Sequence, residues 1–400
     1  MIKTVYPTGK IVAKTGNEAI AEAMRQIEPD VVAAYPITPA TEIMQIFSQF
    51  IADGIIGSEY IAVESEHSAM SATIAASAAG ARAMTGTSSQ GLAFMWEMLY
   101  IASGLRLPIV MAEVNRAISA PINIHGDHSD SMGTRDSGWI QLYSENSQEA
   151  YDNMIQAIRI SEKAKLPVMV TTDGFVISHC MEVVEIYPDK DVKAFIGDYN
   201  PDRYLLDIKH PYTLGAIDLQ DYYFEHRYQL SKAIEDSKNI ILNVSKDFFN
   251  SFKRKYDFYE KYMLDDAEIA IVVIGSTAGT VKLVVKELRN KGIKAGLLKI
   301  RVYRPFPSKQ IAKELASIKA IAIMDKSDSC SGAFAPIYSD IVASLYSNGI
   351  VKPKVLNCVY GLGGRDITIK QIINIYEILI KIASGIKYPT NIINYINVRK

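Results

Sequence analysis

Four short segments of this sequence, each directly after an apolar run, carry side chains suited to a charged or hydrogen-bonding ligand. Tyr35-Pro36-Ile37-Thr38-Pro39 sets a hydroxyl between two prolines, whose fixed φ holds a turn in one shape. Thr38 is then either a ligand group or a plain N-cap. In Glu64-Ser65-Glu66-His67, two carboxylates open a helix, where the macrodipole stabilises negative charge and capping alone explains them. The other reading pins one glutamate among small apolar residues, where its carboxyl group hydrogen-bonds a ring nitrogen and moves a proton. His67 reads as a solvated or packing histidine, because adjacent helix residues point apart.

The third segment, Thr85-Gly86-Thr87-Ser88-Ser89-Gln90-Gly91-Leu92, is a glycine- and hydroxyl-rich turn that exposes backbone N–H groups. It matches neither the dinucleotide nor the P-loop spacing. The fourth is Arg116 at the end of a buried-looking run, followed by Gly126-Asp127-His128-Ser129-Asp130. A buried guanidinium requires an anion, either a substrate carboxylate gripped by two parallel hydrogen bonds or an internal partner, Asp127 or Asp130. His125, His128 and the two aspartates raise the question of a metal. No further histidine or cysteine cluster supports a tetrahedral site, so none is expected.

The elements that must position these residues follow an α/β pattern. Strands are expected at Val31–Tyr35, Tyr60–Val63, Ala83–Thr87, Ile109–Val114 and Val168–Thr172, with helices at Asn17–Gln26, Thr41–Ile51, Glu66–Ala79, Leu92–Ser103 and Gln148–Lys163. This alternation predicts a mostly parallel sheet over residues 1–181, with every candidate segment at the carboxyl end of a strand, where open sheets bind ligands. Residues 182–266 read as a linker with an extended stretch at Asp198–Tyr223 and a helix at Ile241–Tyr262, whose aromatic stripe reads as core. A second α/β unit occupies 267–400. Its strands are expected at Ala267–Ile274, Ala295–Val302, Ile321–Asp325 and Pro353–Tyr360, and its helices at Val281–Lys291 and Asp366–Ser384.

Composition narrows the function. Lys and Arg number 43 against 44 Asp and Glu, a net charge of −1 that offers no field for a nucleic acid. No apolar run approaches the ~20 residues that span a bilayer, so no membrane role is expected. Three widely spaced cysteines, Cys180, Cys330 and Cys358, give no cluster or disulfide framework and fit a reducing cytoplasm.

In their order and spacing, the YPITP, SE, TSSQGL and GDHSD segments, with Arg116 before Ala117-Ile118-Ser119, resemble the pyruvate:ferredoxin oxidoreductase family of thiamine-dependent enzymes over most of the chain. The resemblance implies a pyrimidine-type thiamine-binding domain followed by a transketolase carboxy-terminal-like domain, the latter marked by IGSTAGT, KIRVYRPFP and VYGLGGRD. It implies that Glu66, which follows a serine and precedes the small-residue helix, hydrogen-bonds N1′ of thiamine diphosphate. Thr38 and Arg116 would bind the 2-oxoacid with Pro36 and Ile37 over it, and Ser89, Gln90 and Gly91 would lie beneath the cofactor. His67 departs from the alanine common in the family.

The reaction so implied is the reversible oxidative decarboxylation of pyruvate with coenzyme A to acetyl-CoA, CO2 and reduced ferredoxin. Thiamine enzymes hold diphosphate and Mg²⁺ on a Gly-Asp-Gly segment, and no such segment occurs here, nor any cluster-ligand cysteine pattern. The resemblance therefore implies a diphosphate-binding beta subunit, a ferredoxin-like delta subunit with the iron–sulfur clusters and a small gamma subunit. Alternatives are another 2-oxoacid (2-oxoglutarate, a branched-chain acid or oxalate), a transketolase-like enzyme without electron transfer, or a non-catalytic nucleotide-binding module. Threonine at position 38 and Arg116 after Val-Asn favour a small acid with one carboxylate. The basic run Lys299, Arg301 and Arg304 is expected to serve coenzyme A phosphates or, equally, to stabilise its domain.

Overall fold

A computed structural model describes residues 9–330, 332–386 and 393–399. Its first sheet has seven strands, in the order Val302–Arg304, Ile140–Tyr143, Val168–Asp173, Val110–Asn115, Ala83–Thr87, Val31–Ala34 and Glu59–Ala62. All pairings are parallel except that of Val302–Arg304 with Ile140–Tyr143. The apolar runs Val110–Asn115 and Val168–Asp173 are buried along their whole length, as strands covered by helices on both faces must be.

The covering helices start where the sequence supplies acceptors. Thr15 and Glu18 form a capping box for Gly16–Ile27, Ser65 accepts from the Ser68 amide ahead of Glu66–Ala78, and Asn146 accepts from Glu149 ahead of Ser147–Ala164. Each cap is worth about 1 kcal/mol. Burying one Ile, Leu or Phe side chain is worth about 1.5–3 kcal/mol. The packing of Ile20, Met24, Phe47, Tyr151 and Ile155 against the sheet therefore decides where the helices lie, and the caps decide where they begin.

The second sheet has six strands, in the order Asn394–Tyr395, Lys354–Val359, Ala320–Asp325, Ile269–Ile274, Ala295–Ile300 and Tyr259–Tyr262. Only Tyr259–Tyr262 runs antiparallel. A two-stranded antiparallel ribbon pairs Lys10–Lys14 with Glu182–Ile186.

Several elements differ from expectation. The helix expected at Leu92–Ser103 starts at Ser89 and breaks at Met95 into Ser89–Phe94 and Trp96–Gly104. The helix expected at Ile241–Tyr262 is Tyr223–Phe252, and Tyr259–Tyr262 is a strand because it completes the edge of the second sheet. Its aromatic stripe is core, with Phe248 and Phe252 packed on Tyr187 and Phe195. The single strand expected at Ala295–Val302 is two: Ala295–Ile300 stays in the second sheet, and Val302–Arg304 crosses to the first. The sheets thus exchange chain across residue 267. Among the described residues, no helix is long and apolar enough to cross a membrane.

Candidate active site

The carboxyl ends of Val31–Ala34 and Ala83–Thr87 are neighbours, and their chains leave in opposite directions, one to Glu59–Ala62 and the other to Val110–Asn115. A crevice opens at such a switch point. The YPITP turn, the Ser65-capped helix start, the Ser88–Gly91 turn and Arg116 all lie along this edge.

Glu66 is the first residue of its helix and is only 8% exposed. Among the described residues its carboxylate has no hydrogen-bond or ion-pair partner, although its oxygens are not sealed from solvent. A Cβ at Gly91 would lie 2.7 Å from Glu66 Oε1 and would also meet Thr87 Oγ1, so only glycine permits this approach. Glu64 is different: fully exposed, it accepts from the Ser68 hydroxyl, which holds its pKa below the usual carboxylate range. His67 sits at the surface with Nε2 2.7 Å from Glu97 Oε1.

Arg116 is 8% exposed and has no carboxylate partner among the described residues. Its Nε donates to the Asn123 carbonyl at 2.9 Å, and its Nη1 donates to the Thr38 carbonyl at 3.0 Å. Neither internal ion pair considered from sequence forms, since Asp130 meets only the Arg116 backbone N–H, at 2.7 Å. The Nη2 end has no protein acceptor among the described residues. Thr38 meets Arg116 through its backbone carbonyl and not its hydroxyl, with Pro36 and Thr38 exposed and Ile37 half-buried.

Ser89, expected beneath the cofactor, turns its side chain inward. It is fully buried with φ +50°, its N–H donates to Asp130 Oδ2 at 3.1 Å, and its hydroxyl bonds the Ala117 carbonyl and Gln90 Oε1. A non-glycine residue in that conformation persists only where its surroundings hold it. Gln90 keeps a buried Nε2 without a partner.

The sequence reading weighed Asp130 only as an ion partner of Arg116 or a metal ligand and missed that it ties these parts together. Asp130 accepts from the Ser89 and Arg116 amides on one oxygen and from Asn115 Nδ2 and the Ser131 amide on the other. Burial, reinforced by the neighbouring Asp130, pushes the Glu113 carboxyl well above the usual range. An acidic residue inside an otherwise apolar strand, Val110–Asn115, was the available signal. The four residues considered for a metal have separate partners. His128 Nε2 is 2.5 Å from Asp173 Oδ1, Asp127 binds Ser129 and the Gly363 amide, Asp130 is the tie just described, and the His125 ring stacks near Phe175.

The basic run does not face solvent phosphates. Lys299 Nζ binds Glu145, Glu149 and Glu260 at 2.7, 2.5 and 2.8 Å. Burial lowers its pKa, but those three carboxylates outweigh it and hold the ammonium above its ordinary range. Arg301 is buried between Asn153, Gln156 and the Tyr256 ring, and Arg304 pairs with Asp340 at 3.0 Å. These contacts fit the structural alternative, with Lys299 and Arg301 held by residues of the first domain.

An open parallel sheet with Glu66 and Arg116 at its switch point, neither ion-paired among the described residues, joined to a second parallel sheet, defines a two-domain α/β protein with a ligand crevice at the edge of its first sheet. The chain belongs to the pyruvate:ferredoxin oxidoreductase family. Residues 22–246 match "Pyruvate flavodoxin/ferredoxin oxidoreductase, thiamine diP-bdg", and residues 267–372 match "Pyruvate:ferredoxin oxidoreductase core domain II". It is 54% identical to "Pyruvate synthase subunit PorA" of Thermotoga maritima over 92% of this chain and 93% of that one. It is 42% identical to "Ketoisovalerate oxidoreductase subunit VorA" of Pyrococcus abyssi over 94% of each. The 2-oxoglutarate:ferredoxin oxidoreductase of Magnetococcus marinus shares the fold, with a TM-score of 0.71 at 19% identity, over 93% of this chain and 66% of that one. A split-gene transketolase superposes with a TM-score of 0.52 at 11% identity, over 93% of this chain and 96% of that one.

Proposed function

We propose that this chain is the subunit of a pyruvate:ferredoxin oxidoreductase that holds the aminopyrimidine of thiamine diphosphate and grips the oxoacid carboxylate. The observation that carries this is one site with two oppositely charged, largely buried groups, Glu66 and Arg116, neither with an ionic partner among the described residues. Leaving two such charges unpaired is costly, and a ligand that presents a ring nitrogen to one and a carboxylate to the other removes the cost.

When bound, thiamine diphosphate supplies the nucleophilic carbon and the electron sink for decarboxylation. Glu66 would exchange a proton with the pyrimidine N1′, and the Gly91 approach fixes its carboxylate for that task. Arg116 would hold the oxoacid carboxylate through its free guanidinium edge while two carbonyls fix the opposite side. Pro36, Ile37 and Thr38 would close over the substrate, and the Ser89–Gln90–Gly91 turn would floor the cofactor.

The remaining parts would come from other chains: a diphosphate- and Mg²⁺-binding beta subunit, a delta subunit with iron–sulfur clusters, a gamma subunit, and ferredoxin as acceptor. Coenzyme A would take the acyl group. The cysteines are unpaired, which supports a cytoplasmic setting.

The test uses the complete assembled complex. Glu66→Ala should abolish exchange of the thiazolium C2 proton followed by NMR, with the complex still assembled, while Glu64→Ala should exchange as wild type does. Exchange at the wild-type rate in Glu66→Ala removes the assignment. The relatives include a ketoisovalerate enzyme, so kcat/KM for pyruvate and for 2-ketoisovalerate should be measured side by side, with pyruvate expected to lead.

A further inference from the structure

The second domain reaches into the substrate side of this site. Residues 118–125 form a loop that is exposed except for the half-buried Asn123. Asn123 is also the residue whose carbonyl accepts from Arg116 Nε at 2.9 Å. Its side chain is gripped twice: Nδ2 donates to the Gly363 carbonyl at 3.1 Å, and Oδ1 accepts from the His125 amide at 2.6 Å. Gly363 in turn donates its N–H to Asp127 Oδ2 at 2.9 Å. It does so with φ +62° between Gly361 and Gly364, which share the left-handed region, and a Cβ there would lie 2.6 Å from Asn123 Nδ2. Close by, Asp173 joins His128 to the Ser276 amide and Lys326, fixing the base of the same loop against the second domain.

From this we infer that Asn123 is a positioning residue for the oxoacid and that the Gly361–Gly364 turn is its anchor, so the second domain sets the aim of the Arg116 guanidinium. The physical reason is the loop's own poverty of contacts. Without Gly363, the Asn123 carbonyl belongs to an exposed segment whose conformational freedom works against a single orientation. A guanidinium that has lost one of its two fixed carbonyls can still bind a carboxylate, but it no longer presents the same edge to it.

The inference rests on the reading of Arg116 as the carboxylate grip. In the complete complex, Asn123→Asp keeps the acceptor for the His125 amide and removes the donor to Gly363. Gly363→Ala attacks the same contact from the other domain. Both should raise the KM for pyruvate on the order of 10- to 100-fold, the scale of a misplaced binding group. Both should leave kcat and C2 proton exchange close to wild type, the signature of lost uniform binding. A wild-type KM in both variants overturns the inference, as does an equal loss of C2 exchange, or failure of both to assemble, since the contact would then be structural. Arg116→Ala separates the two levels. If it leaves turnover intact, the reading of the site fails. If it collapses turnover while the Asn123 and Gly363 variants behave as wild type, only the positioning role fails.

Discussion

Glu66 and Gly91 are in contact at the switch-point edge of the first sheet, the carboxylate of one filling the space a side chain of the other would need. A methyl group at residue 91 must therefore push Glu66 aside, because the Thr87 hydroxyl closes the other direction. Gly91→Ala should lower C2 proton exchange on the order of 10²-fold, the scale set by a displacement of about 1 Å at a reacting group. Thermal unfolding should shift far less than exchange does. Unaltered exchange in a folded Gly91→Ala complex would show that the contact has no chemical part.

For Arg116→Ala, the loss of a charge-assisted hydrogen bond should cost on the order of 2–4 kcal/mol in the transition state, or roughly 30- to 1000-fold in kcat/KM for pyruvate. Thr38→Arg should also discourage pyruvate, since a long cation would enter the space beside Arg116. Steady-state rates with assembled complex measure both, and a variant within about twofold of wild type would make its residue structural.

Removing Lys299 should unfold the chain sooner without touching coenzyme A. Lys299→Ala leaves Glu145, Glu149 and Glu260 with Lys282 as the cation that remains bonded to Glu145 and Glu260. Breaking a buried pair from one side typically costs about 3–5 kcal/mol. Denaturant titration of the variant measures that, and KM for coenzyme A should be as in wild type. A rise in that KM with unchanged stability would restore the phosphate-binding role.

Asp325 makes stability depend on pH in an unusual direction. It is fully buried at the start of the helix Pro336–Ser347 and accepts from the Ile337 and Tyr338 amides. Burial pushes its pKa up from 3.8 to about 8, only partly opposed by those two amides. The folded state therefore holds a proton that the unfolded chain releases above its own, lower pKa. The contribution is fully present in acid and is lost as pH rises from about 4 to about 8, by at most about 1.4 kcal/mol per pH unit. Asp325→Asn should remove that slope, so Tm measured from pH 5 to 8 should converge on or pass the wild-type value as pH rises. A constant offset between the two curves would refute the protonated state.

Val31–Ala34 and Val110–Asn115 were legible because each is a short, largely apolar run, and the site residues are the polar exceptions beyond their ends. The helix break at Met95 was not, because the run Ser89–Gly104 has no proline to mark it. The crossing of Val302–Arg304 was hidden for a similar reason: AGLLKIRVYR reads as one strand, and only the buried Arg301 between Asn153 and Gln156 marks where it turns. A buried arginine and a surface arginine look alike in a sequence. Asn123 and Gly363 are 240 positions apart, so no local pattern reports their contact. Glu66 was separated from Glu64 only by the family resemblance, whose glutamate follows a serine and precedes a small-residue helix, and the two carboxylates sit in different surroundings.

The strand Val302–Arg304 also bears on how the polypeptide could be divided. It zips onto Ile140–Tyr143 after the chain has already built part of the other sheet. A fragment ending near residue 266 would leave Ile140–Tyr143 as a bare edge, a template for intermolecular pairing. The complementary fragment would carry an orphan strand and the unshielded Arg301. Expressed apart, the two halves should precipitate, and expressed together they should recombine into one particle, because the seam between them is a backbone ladder and not a hinge.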